Sequence, residues 1–314
     1  MKILVVGKDN IMKWPFKVVK GFSELRHETD LFVYNQKTVG YCCWRLFGKK
    51  KRLMWLAEKF KHKIECFQPD LIVYVSFGFI PIELYQISAK FNIKKVGWAA
   101  DKFGPEIKEK ADFLDDLFCS DTGYLEYAKS FKCPSYYLPL CADTDTFKNE
   151  NLSKTLPPFF AGVANKLRNE YFEACKEKCL LYGKGWDKQK MPWHEIHNHK
   201  IPLEKMQHLI NQSIAPINIC FSPNIVNGLN FRVFEIGACG GLIMVNETKD
   251  LSLCYDIGKE AVVYTTPDDF NRLVKDIVEN PEKYKKIASA GYERTMKDHT
   301  YSARLTQMLN YIKK

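Results

Sequence analysis

Six short apolar runs recur through the first 140 residues at helix-length intervals: KILVVG (2–7), TDLFVYN (29–35), DLIVYVS (70–76), KKVGWAA (94–100), DLFCSD (116–121) and SYYLPL (135–140). Each is nearly continuous rather than alternating, the pattern of a strand covered on both faces. Helical patterns lie between them near 15–26, 50–67, 81–91 and 123–131. A strand–helix–strand order of this kind closes as a parallel sheet with helices on both faces.

The pattern then stops and restarts. CADTDTFKNENLSKTLPP (141–158) is polar, turn-rich and ends in prolines, so it reads as a connection. A chain of 314 residues is too long for one ordinary core. We therefore expect an α/β protein with a first domain over 1–145, a linker over 146–158 and a second domain over 159–314. In the second half, FFAGVA (159–164), CLLYGKGW (179–186), IAPINICF (214–221), GLIMVN (241–246) and AVVYT (261–265) read as strands. The last helix carries Leu305, Met308, Leu309 and Ile312 on one face, and it is expected to pack back on the first domain. Two Rossmann-like halves with parallel sheets facing a central cleft would bind a ligand where strand C-termini meet.

Composition narrows the setting. The opening apolar run is too short for a signal peptide or a membrane span. Eleven cysteines without a CxxC pair suit reduced thiols and a cytoplasmic protein. Residues 1–63 hold fifteen Lys/Arg against five Asp/Glu, whereas the rest of the chain is balanced at 32 against 32. That balance argues against an extended nucleic-acid track. The basic amphipathic helix expected over 49–64 has a core stripe of Leu53, Leu56, Ala57, Phe60 and Ile64, with Met54 and Trp55 off it. Its outer face is either simply solvated or a peripheral contact with an anionic membrane.

The most specific stretch is NFRVFEIGACGGLIM (230–244). A helix used only for packing has no need of Arg232 and Glu235 near its start. With GLIMVNETKDL, GKEAVVYTTPDDF and ENPEKYKKIASAGYERTMKDHTYSARLTQML, and with FFAGVANKLRNEYF and LLYGKGW upstream, residues 159–311 resemble the C-terminal domain of the CgeB-like, spore-maturation type glycosyltransferases of the GT-B fold. Over 1–158 the resemblance is mostly architectural. It implies an enzyme that moves a sugar from a nucleotide-sugar donor to an acceptor, which could be a surface glycan, a lipid-linked glycan, a protein or a small molecule. It also implies a donor site on the second domain, an acceptor site mainly on the first, and no tightly held metal or other cofactor.

Breaking a sugar–diphosphate bond builds charge on the leaving group, which helix N-termini and cations stabilise. Arg232 at a helix start suits the diphosphate, and the resemblance gives Glu235 the ribose hydroxyls. The alternative is an i,i+3 ion pair on a solvated face. The family's first glutamate, eight residues earlier, is here Asn227. Asn227, Gly228 and Asn230 are donor-loop candidates or an ordinary turn. Gly162, Asn165, Lys166 and Arg168 form a second phosphate candidate or a solvated helix start. Gly183 and Trp186 lie near the base, or are a glycine turn and a core tryptophan.

If the reaction inverts stereochemistry it needs a base. Asp101, at the end of the fourth strand, is the first choice, with helix capping as its alternative; Asp9 is the second. The DTD at 143–145 reads as a turn rather than a metal site. His194, His197 and His199 read as an exposed loop rather than ligands. His299 reads as a helix-start or interdomain residue. Two other functions remain open: a sugar-nucleotide epimerase on the same fold, and a non-enzymatic nucleic-acid-binding or scaffold protein.

Overall fold

Five of the six residues of β1 (Lys2–Gly7) are buried, as an apolar run between two parallel neighbours must be. In the computed structural model, which describes residues 1–10, 13–35, 48–100, 103–104, 106–220 and 225–312, β1 pairs in parallel with β2 (Glu28–Val33) and β3 (Leu71–Val75). β4 (Lys94–Ala99), β5 (Asp116–Cys119) and β6 (Ser135–Tyr137) extend the same parallel sheet in the order β2-β1-β3-β4-β5-β6. The helices between them are α1 (Trp14–Glu24), α2 (Gly48–Phe67), α3 (Ile82–Ser88), α4 (Ile107–Ala111) and α5 (Thr122–Ala128). On α2, Ala57, Phe60 and Ile64 are buried at helical spacing. Trp98 on β4 is fully buried and donates its indole N–H to Leu138 O at 3.0 Å.

The second run of elements builds β7 (Phe159–Ala161), α6 (Lys166–Ala174), β8 (Leu180–Tyr182), β9 (Glu195–His197), α7 (Leu203–Gln212), β10 (Ile217–Asn218), α8 (Phe231–Ala238), β11 (Met244–Asn246), α9 (Leu251–Cys254), β12 (Val262–Tyr264), α10 (Pro267–Glu279), α11 (Pro281–Asp298) and α12 (Tyr301–Ile312). Strands β7-β8-β9 form one parallel set and β10-β11-β12 another. A parallel bridge from Phe159 to Pro216, with Phe159 N–H on Ala215 O at 3.0 Å, joins them. Across that junction the order is β9-β8-β7-β10-β11-β12, a doubly wound sheet that switches direction between β7 and β10. Phe160, Phe172, Trp186 and Phe270 pack in its core, several of them edge to face.

The chain divides into two compact units: Met1–Pro139 together with Tyr301–Lys314, and Leu140–Thr300. In the first, α12 packs so closely on α1 that a Cβ at Gly21 would stand 2.7 Å from Leu305 Cδ1. In the second, the stretch expected as a linker runs against α7. Glu150 N–H donates to Asn211 Oδ1 at 2.7 Å, and Lys154 Nζ to Asn211 O at 2.6 Å. Each of those bonds satisfies a polar group that a free linker would leave to water.

One expectation is corrected here. HEIHNHK is an exposed loop only over 198–200: Glu195–His197 is strand β9, and His194 is buried. The His194 ring accepts Cys179 N–H at Nδ1 (3.1 Å) and donates from Nε2 to Phe172 O (2.8 Å). His197 stacks on Tyr182 with centroids 4.4 Å apart. No cluster of His, Cys, Asp or Glu suited to a metal ion occurs among the described residues.

Candidate functional site

Because the strands of the second unit are parallel, the loops after β7, β10 and β11 emerge at one edge of the sheet, on either side of its switch point. Two of them lead into helices α6 and α8, so helix N-termini are directed at that edge.

The first loop is held by the second glycine turn. Gly162 N–H bonds Tyr182 O at 2.8 Å, Ala164 N–H bonds Lys184 O at 2.9 Å, and Trp186 Nε1 donates to Gly162 O at 3.0 Å. Gly183 has φ +137°, and a Cβ there would lie 1.9 Å from Gly162 O, so only glycine lets the two turns touch. Asn165 caps α6, its Oδ1 accepting Arg168 N–H at 3.0 Å. The Arg168 guanidinium folds back onto the loop. Nη1 donates to Val163 O at 2.6 Å, Cζ lies 5.2 Å from the Phe160 centroid, and Nε is buried without a hydrogen-bond partner. Burial pulls its pKa down, which marks a cation that would gain from an anion. Lys166 stands exposed at the helix start.

The second loop begins at Cys220, beyond β10. Its N–H donates to Asn246 Oδ1 (2.6 Å) while Asn246 Nδ2 donates to Cys220 O (3.3 Å), clamping the ends of β10 and β11. Burial pushes the Cys220 thiol up to about 11; hydrogen bonds from the Asn230 backbone and from Asn218 and the charge of Arg168 act against that rise. Asn230 occupies the N-cap of α8 but makes no side-chain capping bond, and its Oδ1 is buried and unpartnered. Thr248, in the loop after β11, also has a buried hydroxyl without a partner. Orphaned polar atoms are costly unless something meets them.

Arg232 and Glu235 sit in the first turns of α8. Arg232 Nε is 3.4 Å from Glu235 Oε2, with the carboxylate buried. The guanidinium also contacts Met206 Sδ of α7 and lies 5.9 Å from the Phe147 ring centroid. The pair forms, as the bland reading of the sequence allowed, yet not on a solvated face. At the other end, Gly240 N–H bonds Gly237 O and Gly241 N–H bonds Ile236 O, both at 3.0 Å, with Gly240 at φ +66°. That is a Schellman stop, and it turns the chain back into β11.

The structure thus brings Gly162, Arg168, Asn230, Arg232 and Glu235 to the loops and helix starts of one sheet edge. Asn227 and Gly228 lie in the loop ahead of α8, where Asn227 O accepts Asp250 N–H at 3.0 Å. Trp186 is a core residue that fixes the Gly162 carbonyl, and Asn165 spends its side-chain oxygen on a cap. Cys220, Asn246 and Thr248 were missed from sequence. Their signal was a polar residue within a few positions of the C-terminal end of a parallel strand.

In the first unit, Asp9 Oδ1 is 2.6 Å from Lys13 Nζ, so its carboxylate is already paired. Asp101 lies outside the described residues. Asp143 takes the turn role, with Asp145 N–H on its Oδ1 at 3.3 Å. His299 is buried and its Nε2 meets Cys254 O at 2.8 Å. No helix among the described residues is long and apolar enough to cross a membrane.

Residues 164–310 match the model of a glycosyl transferase-like family. No curated protein sequence matches the chain. Among solved structures, a glycosyltransferase from Rickettsia africae superposes with a TM-score of 0.72 at 12% identity, over 99% of this chain and 97% of that one. Sucrose-phosphate synthase from Thermosynechococcus elongatus gives 0.70 at 12%, over 99% and 98%. The Anabaena HepE protein in complex with UDP and glucose gives 0.69 at 11%, over 100% and 99%. At such identities the likeness is one of fold, and the fold is GT-B. The family match lies wholly in the second half of the chain, whereas the likeness of fold extends over its whole length.

Proposed function

We propose that this chain transfers a hexose-like sugar from a nucleotide-sugar donor, bound at the β7/β10 edge of the second unit, to an acceptor held mainly by residues 1–145. The acceptor hydroxyl forms its bond to the anomeric carbon as the bond to the diphosphate oxygen breaks. If the transfer inverts configuration, the hydroxyl proton passes to a carboxylate, for which Asp101 is the first candidate and Asp9 the second. The nucleoside diphosphate leaves with the negative charge. Arg168, Lys166, Arg232 and the first turn of α8 stabilise it, and Glu235 accepts hydrogen bonds from the ribose. Turnover is expected to survive EDTA.

One observation carries this reading: α8 starts with an N-cap that makes no side-chain cap and keeps a buried, unpartnered oxygen, next to a half-buried guanidinium and a buried carboxylate. Such a helix start is a poor stop for a chain by itself and a good cradle for a nucleoside diphosphate. The acceptor is a surface glycan, a lipid-linked glycan, a protein or a small molecule.

The test is a thermal-shift panel of UDP-, GDP-, dTDP- and CMP-sugars. A donor at one hundred times its Kd adds about 2.7 kcal/mol of stability. Glu235→Gln and Asn230→Ala should fold and lose the shift; if both respond like the parent, the site assignment is wrong. An altered sugar nucleotide formed without acceptor would replace the transferase by an epimerase.

A further inference from the structure

A pocket of about 420 Å³ opens in the first unit beside the ends of β1 and β2, between those strands and α2. Among the described residues four cations line it, Lys8, Arg52, Lys59 and Lys63, and no carboxylate does. Arg52, Trp55, Lys59 and Lys63 follow one another at helical spacing, so a single face of α2 supplies three of the charges. Lys63 is neutralised by Asp30, with Nζ to Oδ2 at 2.7 Å. Lys59 Nζ stands 3.9 Å from the Trp55 ring centroid. Apart from Asn35, the rest of the wall is apolar or aromatic, including Leu53, Pro81 and Tyr34. Burial raises the Tyr34 hydroxyl to about 12, so it stays protonated and donates to Phe79 O at 3.2 Å.

A merely solvated basic face has no need of a concave wall. Guanidinium and ammonium groups gathered around one cavity suit phosphate oxygens. The apolar wall beside them suits the organic body of an ester rather than a bare ion. The pocket also adjoins a base candidate. Asn35, in its lining, accepts Asp9 N–H at Oδ1 (2.7 Å) and donates from Nδ2 to Asp9 O (2.9 Å). That reciprocal clamp ties the pocket wall to the loop that carries the Asp9 carboxylate.

We propose that this pocket binds a phosphate ester borne by the acceptor, with Arg52, Lys59 and Lys8 around the phosphate and Trp55 against its organic body. The phosphate pocket stands on its own residues; its assignment to the acceptor rests on the transferase reading. The acceptor is then a phosphorylated sugar or a glycan on a lipid phosphate, and a transferase acting on neutral sugars would not need this charge.

The full chain, labelled with 5-fluorotryptophan, separates the outcomes, with the Trp55 ¹⁹F resonance assigned through Trp55→Phe. Glucose 6-phosphate and inorganic phosphate should move that resonance and glucose should not. Arg52→Glu and Lys59→Glu should each weaken the response at least tenfold, with the apo Tm and the UDP-glucose thermal shift unchanged. Vesicles containing phosphatidic acid, compared with phosphatidylglycerol, report the lipid-borne source. Binding to the first alone, lost in both variants, assigns a lipid phosphate ester. Silence from every probe overturns the proposal, as does equal binding of parent and variants to both vesicles, which would mark a membrane surface. Loss of the donor shift in the parent, with the phosphate response intact, would instead remove the transferase reading and leave the pocket its ligand.

Discussion

Arg232 Nε lies 3.4 Å from Glu235 Oε2 across one turn of α8, with the carboxylate side chain 4% exposed and the guanidinium 23%. Spacing alone would allow a surface pair contributing a few tenths of a kcal/mol. Burial changes what the pair does. A carboxylate taken out of water must keep its partner, and the positive end of α8 adds to the support.

Removing the guanidinium therefore costs more than removing the charge it answers. Arg232→Ala takes a charged partner from a buried carboxylate and is expected to destabilise by about 3 kcal/mol, or roughly 6–12 °C in Tm. Glu235→Gln leaves a guanidinium that is still partly open to water and should cost markedly less. Urea unfolding of the two variants checks the order; a milder Arg232→Ala would contradict it.

The two N-caps of the site should separate stability from binding. Asn165 makes its cap bond to Arg168 N–H, so Asn165→Ala should cost about 1 kcal/mol. Asn230 makes none, so Asn230→Ala should change stability little and reduce donor affinity more. Chemical denaturation alongside calorimetric titration with a UDP-sugar distinguishes them.

Gly183→Ala should be severe. The backbone at φ +137° is strained for any other residue, by about 1–3 kcal/mol. The new methyl would also meet Gly162 O at 1.9 Å. The variant should lose several degrees of Tm and its donor-induced shift together, whereas Gly104→Ala, where a Cβ meets nothing within 4 Å, should behave as the parent.

His194 gives a pH dependence with a definite sign. Burial holds its pKa below the ordinary 6.5, and both ring nitrogens are bonded in the neutral form. The unfolded chain therefore takes up the proton more readily than the folded one. Its contribution is complete above about 6.5 and falls as pH drops through that value toward the lower folded pKa. Tm measured from pH 8 to pH 5 should fall for the parent, and His194→Asn should lose that part of the slope.

Much of the candidate site was legible because it depends on local rules. Asn230 before an apolar helix, Arg232 and Glu235 inside it and Gly240-Gly241 after it are all short-range signals, and α8 and its Schellman stop follow from them. Trp186 resisted assignment because a tryptophan after a glycine turn suits a core or a ligand equally. Its packing on Phe160 and Phe172, far away in sequence, placed it in the core. His194 misled because a histidine-rich polar stretch looks solvated until Cys179 and Phe172 supply its two bonds. The pocket beside α2 was invisible, since Lys8, Asn35, Arg52 and Pro81 converge only after β1, β2 and α2 have packed.

From its order of residues alone, the chain specifies parallel strands buried on both faces, helices between them, and one helix with a cation and a carboxylate at its start, because periodicity and end signals act over a few residues. Tertiary structure decided which polar groups find partners. It left Asn230 Oδ1, Thr248 Oγ1 and Arg168 Nε without hydrogen-bond partners and clamped Asn35 to Asp9. A hydrogen bond between residues remote in sequence is set only when the sheet brings their loops to one edge, and those unmet and clamped groups are where ligands are expected to act.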